Sequence, residues 1–334
     1  MTTTTPETRC SQVVREPLPG TAKTGTTYVA LEHLRGWGRD VLDGEALGEE
    51  LTPLVAAHLK KWSASLQLIR KPGRAGQHRP RRKMYLIYTG DGDPPPAMEE
   101  LDVDGPETIL ELDLSGPGAN ASLGARPVDH PILLVCSHGK RDTCCALKGR
   151  PVAAALQTCF YGDEIWESSH TKGHRFAASM LLMPWGYSYG RLNSAAAIDM
   201  LKHATRGEMF LPGNRGRGCF DAPGQVAELV VADRVISAEG SLDVGTLRVD
   251  AELNEPGDVD GMAADEVVVR RVAHPDGRAW RVQLKQRPVE GVVASCGDAP
   301  EQGSTWVVVD VQPVEGHRAV FWTGNCPGVA PPEQ

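Results

Sequence analysis

One short stretch can supply four metal ligands, two thiolates and two imidazoles. Cys136 ends an apolar run, 131–135, and the pair Cys144-Cys145 follows a polar loop, 137–143. His170-Thr-Lys-Gly-His174 then supplies two imidazoles in an H-x3-H spacing. Thiolate sulfur suits iron–sulfur clusters and zinc, and imidazole suits iron and zinc as well. Eight residues separate Cys136 from Cys145, more than the two to four common in zinc motifs. Two histidines can replace two cysteines on a two-iron, two-sulfide core, and the smaller negative charge then favours adding an electron. Two other chemistries compete. One is a structural zinc site of two cysteines and two histidines. The other is a redox-active thiol at Cys144 or Cys145, at the start of a helix where the dipole lowers its pKa.

Composition narrows the class. The chain has 334 residues, 41% hydrophobic and 23% charged, with a formal net charge of -8. That is the profile of a soluble globular protein with room for two or three domains. The negative balance argues against general nucleic-acid binding. The first residues, Met-Thr-Thr-Thr-Thr-Pro-Glu, lack the basic and apolar segments of a secretory signal. No apolar run approaches the ~18 residues of a membrane span. These features lead to the expectation of a cytoplasmic protein with no membrane or nucleic-acid partner. Its eight cysteines are then reduced thiols rather than a disulfide framework. On that reading Cys10, Cys159, Cys219, Cys296 and Cys326 are buried or idle.

The elements that must position the four residues follow from periodicity. Residues 1–25 are polar and loosely ordered. A region over 26–120 reads as a strand at 27–32, a helix over 40–58, and strands at 65–69 and 84–88. Residues 90–106 read as an acidic, proline-rich linker, and 108–114 as a further strand. Between the second and third strands, Arg70, Lys71, Arg74, His78, Arg79, Arg81, Arg82 and Lys83 form a basic loop. It is either a solvated surface or a docking patch for an acidic partner.

The central region, 126–240, opens with the apolar strand 132–135 and a helix from Gly149 with Pro151 in its first turn. A strand at 164–169 delivers His170. Residues 176–183 continue as a strand or short helix, 187–192 return as a hairpin strand, and helices cover 194–203 and 225–235. That order fits a small thioredoxin-like α/β unit. Alternating β-formers over 241–325 read as an antiparallel β appendage, before a tail at 326–334. No internal repeat with a fixed period is visible.

The central motif resembles the sucrase/ferredoxin-like family. It runs Val135-Cys136-Ser-His-Gly-Lys-Arg-Asp142-x-x-Cys145, then Ser169-His170-Thr-Lys-Gly-His174-Arg-Phe-Ala177. Weaker similarity touches Pro19-Gly-Thr-Ala22, Leu31-Glu32 with Gly36-Trp-Gly-Arg-Asp40, and Asn214-Arg-Gly-Arg217 with Gln225, Ala227, Glu228 and Leu229. It covers about residues 10–235. The resemblance implies an α/β thioredoxin-like ferredoxin with a 2Fe–2S cluster on Cys136, Cys145, His170 and His174. The x8 spacing selects Cys145 over Cys144, which stands as a departure beside it. The implied role is single-electron transfer between a reductase and an acceptor protein, with no catalytic residue of its own. Gly139 and Gly173 would admit close backbone approach, and Lys140, Arg141, Lys172 and Arg175 would tune the site or dock partners. The sucrase half of the family name finds no singled-out carboxylate pair in this chain.

Overall fold

The protein is described here by a computed structural model covering residues 9–34, 36–73, 81–92, 94–250 and 267–314. The architecture is mixed α/β. In chain order the first half contributes β1 (Thr27–Glu32), α1 (Leu51–Lys61), β2 (Ala64–Arg70), β3 (Arg82–Tyr88), β4 (Ala97–Val103) and the short β5 (Arg126–Pro127). The second half contributes β6 (Ile132–Cys136), α2 (Arg150–Gln157), β7 (Ile165–Ser168), β8 (Met180–Met183), β9 (Tyr187–Tyr189), α3 (Ser194–Thr205), β10 (Asn214–Arg217) and α4 (Ala222–Glu239). These ten strands make one sheet, in the order β10-β9-β8-β6-β7-β2-β1-β3-β4-β5. Then β11 (Arg248–Val249), β12 (Val267–Ala273), β13 (Ala279–Val292) and β14 (Glu301–Val314) form a separate antiparallel sheet.

The large sheet contains one topology twice. In the first half β1 is parallel to β2 and antiparallel to β3, and β3 is antiparallel to β4. In the second half β6 is parallel to β7 and antiparallel to β8, and β8 is antiparallel to β9. Each parallel pair is joined by a helix, as a parallel connection requires. The order β7-β6-β8-β9 matches the connectivity expected of the thioredoxin-like unit. The halves meet where β2 runs antiparallel to β7, pairing Ile69 with Ser168 and Arg70 with Glu167. No sequence period announces this repeat, which lies in the strand connectivity.

Strand β6 explains its own composition. All five residues are buried, since the sheet is covered on both faces. Leu133 and Val135 pack with Val152, Ala153 and Leu156 of α2, while Ile132 and Leu134 pack with Trp166 and Tyr85 on the opposite face. Burying each such aliphatic side chain contributes about 1.5–3 kcal/mol. Cys136 closes the strand, so this double-sided core fixes where its sulfur sits.

Helix α4 is buried on nearly every side, including Val226, Ala227, Leu229, Val231, Ala232 and Val235. A helix apolar all round needs cover all round. Its cluster includes Val272, Val282, Leu284 and Val311 of the small sheet as well as Tyr187 and Tyr189 of the large one. Asp221 caps its start by accepting from Gly224 N–H at 2.9 Å, and Gly240 ends it at φ 88°.

Four local expectations are corrected. The helix expected over 40–58 begins only at Leu51, because Gly44 and Gly48 turn the chain at φ 92° and 90° and Asp40 and Asp43 accept local backbone N–H bonds. The acidic stretch read as a linker contains β4, whose Glu100 and Asp102 face Lys83 of β3 at 2.9 and 3.5 Å. The strand expected at 108–114 is instead a 3-10 helix, Pro106–Glu111, which Pro106 opens. Of the strand expected at 247–253, only Arg248–Val249 is observed: Leu247 and Asp250 lie outside it, and 251–253 lie outside the described residues. The expected strands at 65–69, 84–88 and 164–169 are present, with ends shifted by a residue or two. Cys326 and the tail lie outside the described residues.

Candidate metal centre

The sequence-predicted donors converge at the end of β6 and the loop after β7. The ligand atoms of Cys136, Cys145 and His170 all lie within 4.8 Å of one another. Cys136 ends β6. Cys145 opens a single turn of π-helix, Cys145–Gly149, that leads into α2. Such turns widen a helix locally and recur at functional sites. Gly149 closes the turn directly against the ligand strand, and a Cβ there would collide with the carbonyl oxygen of Cys136. Only glycine lets helix and strand approach this far.

His174 sits beside the group rather than inside it. Its ring centroid is 5.1 Å from that of His170, while its Nε2 lies 2.8 Å from Ser295 Oγ and 3.9 Å from Asp142 Oδ2. The Nδ1 atoms of His170 and His174 are both buried without a hydrogen-bond partner. Buried ring nitrogens are normally paired, so two unpaired ones beside two thiols mark a donor set. This donor set fits a group that accepts sulfur and nitrogen.

Neighbours orient these donors. His138 Nε2 bonds the carbonyl of Gly38 at 2.6 Å, leaving Nδ1 to accept the His170 backbone N–H at 3.2 Å. Burial lowers the His138 pKa, in keeping with this neutral, two-sided role. Trp37 packs edge-on against the same ring. Lys172 and Gly173 both adopt left-handed backbone, at φ 59° and 79°, to swing His174 inward. The buried guanidinium of Arg215 braces that turn, donating to the Lys172 carbonyl at 3.2 Å and to Ser179 Oγ at 3.1 Å. Arg215 also donates to Thr21 Oγ1 at 3.0 Å, and Gly20 N–H returns a bond to the Arg215 carbonyl. The weakly similar stretches 19–22, 36–40 and 214–217 thus meet around the histidine loop.

The two thiols are shifted in opposite directions. The hydrogen bond from Cys145, with help from His170, holds Cys136 well below the ordinary thiol range despite full burial. Cys145 is raised by the same bond and by burial. Burial also lowers His174, against the opposing pull of Asp142.

Several expected partner-facing charges are committed internally. Arg70 pairs with Glu167 at 2.8 Å and stacks on Trp37, and Lys71 donates to the carbonyls of Gly162 and Ile165. Arg81 faces Asp104 at 3.5 Å, and Arg74, His78 and Arg79 lie outside the described residues. Arg175 forms a two-pronged pair with Glu16 at 2.5 and 3.0 Å, and Lys140 pairs with Glu45. Gly139 has ordinary backbone geometry; a Cβ there would meet Ala146 at 3.1 Å. Lys172 is exposed, and it lines a cavity of about 340 Å³ together with Lys23, Lys60, His138 and His170.

Sequence reasoning missed a second constellation. Cys144 turns away from Cys145's group, and its sulfur joins Cys10, Cys296 and the carboxylate of Asp142, all within 4.8 Å. Cys10 and Cys296 are far from Asp142 in the chain, by 132 and 154 residues. Only the local Asp142-x-Cys144 spacing could have hinted at it.

Residues 18–216 match the sucrase/ferredoxin-like family. The chain belongs to that family. Curated proteins and solved structures provide no match. The matched span contains every donor of the first constellation, but neither Cys10 nor Cys296 of the second. Among the described residues no helix is long and apolar enough to cross a membrane.

Proposed function

We propose that this sucrase/ferredoxin-like protein is a ferredoxin-type electron carrier that holds a 2Fe–2S cluster on Cys136, Cys145, His170 and His174. One observation carries the reading. Two buried thiols, one with its pKa held low by the other, converge with two histidines whose buried Nδ1 atoms have no other partner. A single tetrahedral zinc ion wants four donors around one point. The offset of His174 suits a group with two metal atoms better. The alternative of a vicinal thiol couple is disfavoured because Cys144 and Cys145 direct their sulfurs to different groups.

A cluster in this site would supply one-electron redox chemistry. The chain's own residues do the rest. His138 fixes the His170 backbone, Ser295 ties the outer nitrogen of His174, and Arg215 holds the turn between the two histidines. His170 is half-buried on the cavity wall, and the exposed Lys60 and Lys172 bring positive charge to that wall beside Asp40. An acidic reductase or acceptor would be drawn there, since opposite charge raises encounter rates. The test is anaerobic purification with iron and acid-labile sulfide analysis. Two irons and two sulfides per chain are expected, with visible charge-transfer absorption. Cys145→Ala should lose both, while Cys144→Ala should keep both. Protein that folds but carries neither iron nor labile sulfide would overturn the proposal.

A further inference from the structure

We propose that Cys10, Asp142, Cys144 and Cys296 form a second, structural metal site that takes one zinc ion per chain. The distances carry the argument. A tetrahedral zinc ion with Zn–S near 2.3 Å and Zn–O near 2.1 Å sets its sulfurs about 3.8 Å apart and each sulfur about 3.6 Å from the oxygen. Here the sulfur separations are 3.7 Å for Cys10–Cys144, 3.3 Å for Cys144–Cys296 and 3.6 Å for Cys296–Cys10. The nearest carboxylate oxygens of Asp142 stand 3.7 Å from the Cys10 sulfur and 3.3 Å from that of Cys296. Five of the six donor–donor edges thus match a coordination tetrahedron to within about 0.5 Å, and all four donors, from three distant chain segments, lie within 4.8 Å of one another.

A disulfide and an iron–sulfur cube both fit this geometry less well. A disulfide joins two sulfurs at about 2.05 Å and would leave a third thiol and a carboxylate without a role. A cube-shaped iron–sulfur cluster binds each thiolate to a different iron and would hold the sulfurs farther apart. Three soft thiolates and one carboxylate suit zinc, which has no geometric preference of its own. The surroundings are also those of a closed site. Cys10, Asp142 and Cys144 are buried and Cys296 is half-buried. Asp142 is oriented by the backbone N–H groups of Cys144 at 2.8 Å and Cys296 at 2.9 Å, and Ser11 Oγ donates to the Cys144 sulfur at 3.2 Å. Such partners orient the ligands and tune the ion. Binding releases the three thiol protons to solvent, and the ion's two positive charges offset half of the four negative donors.

The site would act as a staple. Cys10 belongs to the N-terminal 3-10 turn, Asp142 and Cys144 to the loop that carries Cys145, and Cys296 to the loop between β13 and β14. Ser295, next to Cys296, holds His174 Nε2. Zinc would therefore lock the small sheet's loop over the first metal centre. Adjacent cysteines would then serve different sites, with Cys145 in one and Cys144 in the other.

The test uses the full chain expressed with zinc and purified without chelator. Zinc analysis should give one ion per chain, and X-ray absorption at the zinc edge should give three sulfurs near 2.3 Å and one oxygen near 2.0–2.2 Å. Cys10→Ser and Cys296→Ser should lower bound zinc at least tenfold while leaving iron and labile sulfide in place. Cys136→Ser should do the reverse, so failure of the electron-carrier reading and failure of this one are separable. Zinc-free wild-type protein with a native circular dichroism spectrum would overturn the proposal. So would a two-sulfur, two-nitrogen zinc environment, or a disulfide found by mass spectrometry between any two of Cys10, Cys144 and Cys296.

Discussion

The ion pair between Arg217 and Glu228 should be among the costliest side-chain contacts to break. The two groups lie 2.8 Å apart and both side chains are fully buried. Arg217 also donates to the carbonyls of Gly245, at 3.0 Å, and Leu247, while Tyr187 Oη donates to Glu228 Oε1 at 2.6 Å. Replacing Glu228 by Gln keeps the shape but removes the charge, and the guanidinium is then stranded between two carbonyls. Stranding one partner of a buried pair costs about 3–5 kcal/mol. A midpoint shift of about 2–4 °C per kcal/mol then lowers the melting temperature by ~6–20 °C. Arg217→Met should cost a similar amount. The double variant Arg217→Met/Glu228→Leu should cost much less than the sum, because neither charge remains to be desolvated. The assay is equilibrium urea unfolding of the four proteins as a double-mutant cycle. A loss below about 1 kcal/mol for Glu228→Gln, or additive losses in the double variant, would refute the claim that this pair ties β10 to α4 through mutual need.

Three further outcomes are expected. Gly149→Ala should abolish the iron–sulfur absorption with a folded far-ultraviolet spectrum, because its Cβ would collide with the Cys136 carbonyl; retained absorption would show that the π-turn can yield. Lys23 is lowered to about 7 by burial and by Lys172, against the pull of Asp40. Both folded and unfolded chains are protonated below pH 7, so the cost of burying the ammonium is full there. That cost is relieved as pH rises from about 7 towards 10, by at most about 1.4 kcal/mol per pH unit. Urea unfolding should therefore show Lys23→Met most stabilising at pH 6 and least at pH 10, and a pH-independent difference would contradict the burial. His170→Cys or His174→Cys places an anionic thiolate where a neutral ring stood, so the midpoint potential in a redox titration should fall; Rieske centres lie at about -150 mV or above and plant-type ferredoxins near about -400 mV. An unchanged potential in both variants would argue that neither ring binds the cluster.

Local composition was enough to reveal the strands and donors whose reasons are themselves local. The run 132–136 is apolar throughout because both faces of β6 are covered, and its continuity is readable without any partner. Cys136, Cys145 and His170 lie at the ends of such readable elements, so their convergence follows once β6 and β7 are parallel neighbours. The stretches around Thr21, Trp37 and Arg215 were visible as motifs, but their common purpose was not. Three separate segments become one brace only when Arg215 reaches both Thr21 and Lys172.

What tertiary structure alone decided is long-range and electrostatic. Strand β4 looked like a linker because Glu100 and Asp102 carry charge, and only pairing with Lys83 makes that charge favourable. The basic residues Arg70 and Lys71 looked free for a partner until Glu167, Trp37 and nearby carbonyls were found to occupy them. Cys10 and Cys296 each read as an idle thiol, since no spacing rule connects residues so far apart in the chain. Packing the N-terminal turn and the β13–β14 loop onto the Asp142–Cys145 loop brings their sulfurs within 3.6 Å of each other. Ligand identity is written in residue type, but a site assembled from distant segments exists only after the core has closed around it.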